Sequence, residues 1–149
     1  MSLVERFNND LKEAMKASQA LRVSVLRMTK AAAKNRQIEK GRDLTDEEIV
    51  DVLASMVKQR RDSVEQYTKA VRTDLAAKEE EEIAILQTYM PAQLGAEELD
   101  RIIREAIAES SAAGPQDMGK VMRVLMPKVK GLADGKYVNQ RVKELLESR

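Results

Sequence analysis

The sequence contains no cysteine and no histidine. The first absence excludes disulfides, thiolate metal sites and cysteine nucleophiles; the second removes the commonest general base and the commonest protein metal ligand. Tryptophan is missing too and aromatic residues amount to 3%, so the core has to be built from Leu, Ile, Val, Ala and Met, a composition that favours helix. No stretch reaches the ~20 apolar residues that span a bilayer. The N-terminus is polar and charged, without the apolar segment of a secretory signal, so a cytoplasmic chain with no membrane association is expected. What is present is a chain of 149 residues, 34% charged and 43% apolar, enough for one ordinary domain or two small ones with a real core.

The net charge of +1 conceals a segregation along the chain. Lys and Arg outnumber Asp and Glu by six over residues 1–42, fall six short over 43–95, and lead by one over 96–149. Residues 118–143 hold seven bases against a single acid, Asp134. Either the acidic middle packs beside the basic segments, or the basic faces are kept for an external polyanion; the sequence leaves both open.

Ser2-Leu3-Val4-Glu5 has the spacing of a capping box, which predicts a first helix to about Lys16. Ser18 stands where the cap of a second helix would, with Leu21, Val25, Met28 and Ala32 as its apolar stripe. Arg27, Lys30 and Lys34 share another face of it, with Arg22, Arg36, Lys40 and Arg42 nearby, and read as a solvated surface. Gly41 ends this helix. Thr45-Asp46-Glu47-Glu48 is a second capping box, opening a third helix to about Tyr67 that buries Ile49, Val52, Leu53 and Met56. A break near Thr68 to Thr73 precedes a fourth helix from about Asp74 to Tyr89, with Leu75, Ile83, Leu86 and Tyr89 inward. Glu79 to Glu82 point in four directions around that helix and cannot converge on one ion, so they read as a solvated acidic turn.

Met90-Pro91 stops the pattern, and residues 91–95 read as a linker. Beyond it Leu99, Ile102, Ile103, Ala106 and Ile107 make a complete amphipathic helix. Asp117 is placed to cap a sixth helix, with Met118, Val121, Met122 and Leu125 inward and Pro127 as its stop. Val138, Val142, Leu145 and Leu146 form the stripe of the last. No segment alternates as a strand does. The expected fold class is all-α in two helical lobes: an N-terminal domain of about four helices over residues 1–90 and a C-terminal three-helix domain over residues 96–149.

Met118 to Gly135 is the densest stretch in residues with a specific backbone task. Gly119, Gly131 and Gly135 can take positive φ or admit a close approach, and Asp134 stands as an N-cap; together they read as the hinge of a corner. Lys120, Arg123, Lys128, Lys130 and Lys136 surround it and read as phosphate contacts. Phe7, Tyr67, Tyr89 and Tyr137 are the only aromatic rings for base stacking, so shape and backbone recognition are expected rather than base reading.

Met118-Gly119-Lys120, Met126-Pro127-Lys128-Val129-Lys130-Gly131 and Ala133-Asp134-Gly135 resemble the C-terminal signature of the GatB/YqeY family. Ser2-Leu3-Val4-Glu5-Arg6 and Lys58-Gln59-Arg60-Arg61-Asp62-Ser63 are similar to its free-standing YqeY members, so the likeness covers essentially the whole chain. Arg123 departs from the pattern, since relatives often carry glycine there. In the larger GatB subunit a domain similar to this one forms the tail of glutamine-dependent tRNA amidotransferases, which carry carbon-nitrogen ligase activity with glutamine as amido-N-donor. The resemblance implies a tail that helps to hold tRNA, with an amidotransferase or an aminoacyl-tRNA synthetase as a protein partner. The catalytic parts of such an enzyme have no counterpart here: there is no glycine- and serine-rich nucleophile loop, no phosphate-binding loop and no three-carboxylate cluster. Neither catalytic residues nor a cofactor or metal are therefore expected. The expected function is a non-catalytic tRNA-binding accessory module, the alternative a helical protein-interaction module without a nucleic-acid role.

Overall fold

The computed structural model describes residues 1–148, and among them every regular element is helical. The chain forms two compact units, Met1–Met90 and the segment from Pro91 onward. The first holds α1 (Leu3–Lys16), α2 (Ala20–Lys40), α3 (Asp46–Lys69) and α4 (Thr73–Gln87); the second holds α5 (Ala96–Ser110), α6 (Met118–Val129) and α7 (Gly135–Glu147), with a 3-10 turn at Pro115–Asp117.

Both capping boxes form. The Ser2 hydroxyl accepts from the Glu5 N–H at 3.2 Å while the Glu5 carboxylate accepts from the Ser2 N–H at 3.1 Å. Thr45 and Glu48 do the same at 3.2 and 3.0 Å, and Glu48 also binds Lys40 and Arg42. Those hydrogen bonds, Arg42's first, hold the Glu48 carboxyl far below the usual carboxylate range. Gly41 closes α2 in the left-handed region at φ 71°.

The core of the first unit joins Phe7 and Leu3 of α1, Val25 and Leu26 of α2, Ile49, Leu53 and Met56 of α3, and Leu86 with Tyr89 at the end of α4. Tyr89 meets Phe7 edge to face at 4.9 Å, lies under the Arg6 guanidinium and donates its hydroxyl hydrogen to Asp10. In the second unit Leu99, Ile103 and Ile107 of α5 close on Val121, Leu125 and Val129 of α6 and on Val138, Val142 and Leu146 of α7.

Five local expectations need correction. Ser18 does not cap α2. It sits in the left-handed region at φ 54° and closes α1 instead: its N–H donates to the Met15 carbonyl and the Gln19 N–H to that of Ala14, the pairing of a Schellman motif. The buried face of α2 is Val25, Leu26, Thr29 and Ala33 rather than the stripe through Met28, and Thr29 enters it because its hydroxyl donates to the Val25 carbonyl at 2.8 Å. Glu82 is only 7% exposed and faces Arg60 of α3 across 4.0 Å, so the acidic run is not wholly solvated. Asp117 makes no cap for α6; its carboxylate turns back to accept from the Ala113 N–H at 2.9 Å. Pro127 does not stop α6 either, because Val129 continues the Val121 and Leu125 stripe into the core. Burying that valine stabilises by about 1.5–3 kcal/mol, the same order as the ~3 kcal/mol a proline costs inside a helix.

Candidate nucleic-acid interface

α6 turns Val121, Leu125 and Val129 inward, and that choice decides where its cations go. Lys120 and Arg123 stand three apart on the stripe opposite the buried one, and Lys130 continues that side as the C-cap residue; all three are exposed. Lys128 lies on the flank, where its ammonium binds Glu109 of α5 at 2.7 Å. Lys120 comes within 3.7 Å of Asp117, whose carboxyl is held below its ordinary value, first by the Ala113 N–H. Arg123 has no carboxylate within ion-pair distance among the described residues. The structure thus gathers three of the five predicted cations on one stripe, leaves Lys128 beside it in an ion pair, and puts Lys136 in the first turn of α7.

Between α6 and α7 the chain makes a type II β-turn, Val129-Lys130-Gly131-Leu132. Lys130 has φ −56° and ψ 124°, Gly131 has φ 75°, and the Leu132 N–H donates to the Val129 carbonyl at 2.8 Å; the third position of such a turn calls for glycine. The segment after Pro91 clamps it: the Gln93 side chain donates to the Gly131 carbonyl at 3.0 Å and the Leu94 N–H to that of Leu132 at 2.8 Å. Residues 93 and 94 therefore form part of the second unit's corner. Gly119 and Gly135 are helical, and a Cβ at either would meet nothing within 4 Å, so the glycine requirement falls on Gly131 alone of the three. Asp134 caps α7, its carboxylate accepting from the Lys136 N–H at 3.1 Å. That N–H is satisfied within the chain, so the α7 N-terminus is a weaker phosphate receptor than an open one.

Of the four aromatic rings, Phe7 and Tyr89 belong to the first unit's core, whereas Tyr137 is exposed beside Lys136. Among the described residues no group of three or more acidic side chains could hold a metal ion, and no helix is long and apolar enough to cross a membrane.

Sequence reasoning passed over two features. On α2 the cations divide: Arg22 binds Asp10, Arg36 binds Glu39 and Lys40 binds Glu48, while Arg27, Lys30 and Lys34 are exposed with no carboxylate within ion-pair distance among the described residues. Beside them an apolar groove opens at the α1–α2 corner. The i, i+3, i+7 spacing of Arg27, Lys30 and Lys34 was the available signal; the pairing of their neighbours was not.

The profile of the Yqey-like protein family matches residues 4–146. Relatives named "Altered inheritance of mitochondria protein 41, mitochondrial" are similar to this chain. The protein from Pyrenophora tritici-repentis is 27% identical over 99% of this chain and 82% of its own length. That from Kluyveromyces lactis is 34% identical over 75% and 62% respectively, and that from Lachancea thermotolerans 36% over 58% and 47%, so the matched region spans from about half to four fifths of these relatives. Their names overturn the expected cytoplasmic placement, since each is called mitochondrial. The match over nearly the whole chain, on an all-α structure carrying the signature residues of α6 and its corner, establishes that the chain belongs to the Yqey-like protein family.

Proposed function

We propose that the chain is a non-catalytic RNA-binding accessory module that holds tRNA while a partner enzyme, of the amidotransferase or aminoacyl-tRNA synthetase kind, acts on it. The observation that carries this reading is the outer stripe of α6, where Lys120 and Arg123 stand exposed on one side of the helix and exposed Lys130 follows as its C-cap. The turn at Gly131 and exposed Tyr137 follow directly. A row of cations on a preformed helix suits a phosphate backbone, and one ring offers limited stacking, so affinity comes from charge and shape. The resemblance to the amidotransferase tail supports tRNA as the polyanion.

The two ion pairs of the surface give the second reading its support: Asp117 and Glu109 already engage Lys120 and Lys128, as in a helical docking module with no nucleic-acid role. Fluorescence anisotropy with labelled bulk tRNA at low and physiological salt separates them. The parent should bind with a steep salt dependence. Replacing Lys120, Arg123, Lys128 and Lys130 together by Gln should weaken binding to unrelated tRNAs alike and flatten the slope by roughly one counterion per lost contact. Of the single changes Arg123→Gln should cost most and Lys128→Gln least, because Lys128 is partly neutralised by Glu109. Unchanged binding by the quadruple variant, or no binding by the parent at low salt, would leave the docking-module reading.

A further inference from the structure

The corner between α1 and α2 carries a surface that the RNA reading does not use. Its groove has a volume of about 610 Å³ and is lined by Met15, Ser18, Ala20, Val23, Ser24, Arg27 and Met28, within the ~300–1,000 Å³ usual for binding clefts. Met15 is 52% and Met28 39% exposed, an apolar floor left to water although both helices bury a full face elsewhere. Methionine is flexible and polarizable, suited to receiving apolar side chains of varied shape. Ser18 holds a left-handed backbone at the groove's edge, and the Schellman bonds there, Ser18 N–H to the Met15 carbonyl and Gln19 N–H to that of Ala14, fix the corner before any partner arrives.

The rim has one sign of charge. Arg27 lines the groove, and Lys30 and Lys34 continue its row along α2, covering about 10 Å, or two helical turns. Lys12 and Lys16 flank Met15 on α1, with Glu13 the one acid exposed between them. None of these five cations has a carboxylate within ion-pair distance among the described residues, whereas Arg22, Arg36 and Lys40 of the same helix are all paired.

We propose that this corner docks an acidic amphipathic helix of a partner protein, whose large apolar side chains enter the Met15–Met28 groove and whose carboxylates, a turn apart, meet Arg27, Lys30 and Lys34. An apolar floor beside unpaired cations fits that chemistry and no other class as well. A nucleic-acid backbone would leave Met15 and Met28 uncovered, and the groove offers no aromatic ring for a base. The acidic helix of a second copy, α4, is a poor occupant: its exposed acids are Asp74, Glu80 and Glu81, and it contributes none of the exposed large apolar side chains. The site lies in the first unit and does not depend on the RNA reading of α6.

The test uses the full chain with carbon-13 methyl-labelled methionine, titrated by NMR with a synthetic acidic helix of about 15 residues, leucines on one face and glutamates on the other. Met15 and Met28, assigned through Met15→Leu and Met28→Leu, should be the methyl signals that move. The same peptide with lysines for glutamates should bind at least about tenfold more weakly. Reversing Arg27, Lys30 and Lys34 to Glu, exposed changes that circular dichroism should show to leave the fold intact, should invert that preference while tRNA affinity keeps to within about twofold of the parent. Still methyls at Met15 and Met28 up to about 1 mM peptide, equal binding of both peptides, or loss of tRNA rather than peptide binding in the reversed variant would each overturn the proposal, the last assigning the stripe to RNA.

Discussion

Gly131 is the residue whose replacement tests the corner most directly. It holds φ 75° at the third position of the Val129–Leu132 turn, a conformation that costs a residue with a Cβ about 1–2 kcal/mol. Alanine would return about 0.4–1 kcal/mol by restricting the unfolded chain, so Gly131→Ala should lose a net ~0.5–1.5 kcal/mol. The backbone has no inexpensive escape. Flipping the Lys130–Gly131 peptide would endanger the Leu132 to Val129 bond and the clamp from Gln93 and Leu94, each worth about 0.5–1.5 kcal/mol. Gly119→Ala is the internal control: Gly119 is helical with open space around its missing Cβ, so the same chemical change should gain about 0.5–1 kcal/mol. In a cooperative unit of this size one kcal/mol moves the melting temperature by about 4–8 °C. Thermal melts followed by far-ultraviolet circular dichroism should move in opposite directions for the two variants. A Gly131→Ala protein that melts with or above the parent refutes the type II turn.

Val71 ends α3 at φ 56° and is 80% exposed; a β-branched residue is strained there, so Val71→Gly should stabilise by a few tenths to about 1 kcal/mol, read as a raised denaturation midpoint. Burial, then the neighbouring charge of Glu82, raise the Glu79 carboxyl above its ordinary value. A carboxyl whose pKa is raised on folding favours the folded state below its unfolded pKa and loses that advantage as pH rises through the folded one. Glu79→Gln should therefore be more stable than the parent at neutral pH by about 0.2–0.5 kcal/mol, a gap that closes on acidification; a gap that widens in acid reverses the sign. Glu82→Leu removes the carboxylate paired with the buried Arg60 guanidinium, leaving it only the charge of Glu79, and should cost about 3 kcal/mol, while Glu82→Leu with Arg60→Met should recover parental stability or better in urea titrations. A fragment of residues 1–90 should fold alone, since α1–α4 share one apolar core; a coil spectrum would deny that unit independence.

Helix identity was legible because apolar spacing is a local property. Ile49, Val52, Leu53 and Met56, and Val138, Val142, Leu145 and Leu146, lie on the buried faces that their spacing predicts, and Thr45 and Asp134 cap where predicted because each reaches only two or three residues ahead. The failures share one cause: a residue's task depended on something outside its own turn. Ser18 resembles an N-cap in sequence but is spent on closing the preceding helix. Asp117 finds a better donor behind it than ahead. Pro127 is overruled by the burial of Val129, and Glu82 is drawn inward by Arg60, twenty-two positions back in sequence. Met28 fits a stripe that α2 does not bury, since Thr29 satisfies its hydroxyl on its own helix and lets the face rotate by one residue.

The same distinction governs which cations matter. Sequence places every Lys and Arg but not the carboxylate that neutralises it, and two unit charges 4 Å apart at a protein surface attract by about 4 kcal/mol at an effective dielectric constant of 20, before the cost of desolvation and ordering. An ammonium held at 2.7 Å from Glu109 or 2.6 Å from Glu48 presents a dipole to an approaching polyanion, and beyond the ~8 Å Debye length at physiological salt a dipole is hardly felt. Arg123 on α6 and Arg27, Lys30 and Lys34 on α2 keep their full charge. What stands beside each then separates the partners proposed for them. The outer stripe of α6 runs into a glycine turn with an exposed tyrosine just beyond, features open to a phosphate backbone, whereas the row on α2 borders two exposed methionines that only an apolar partner would cover.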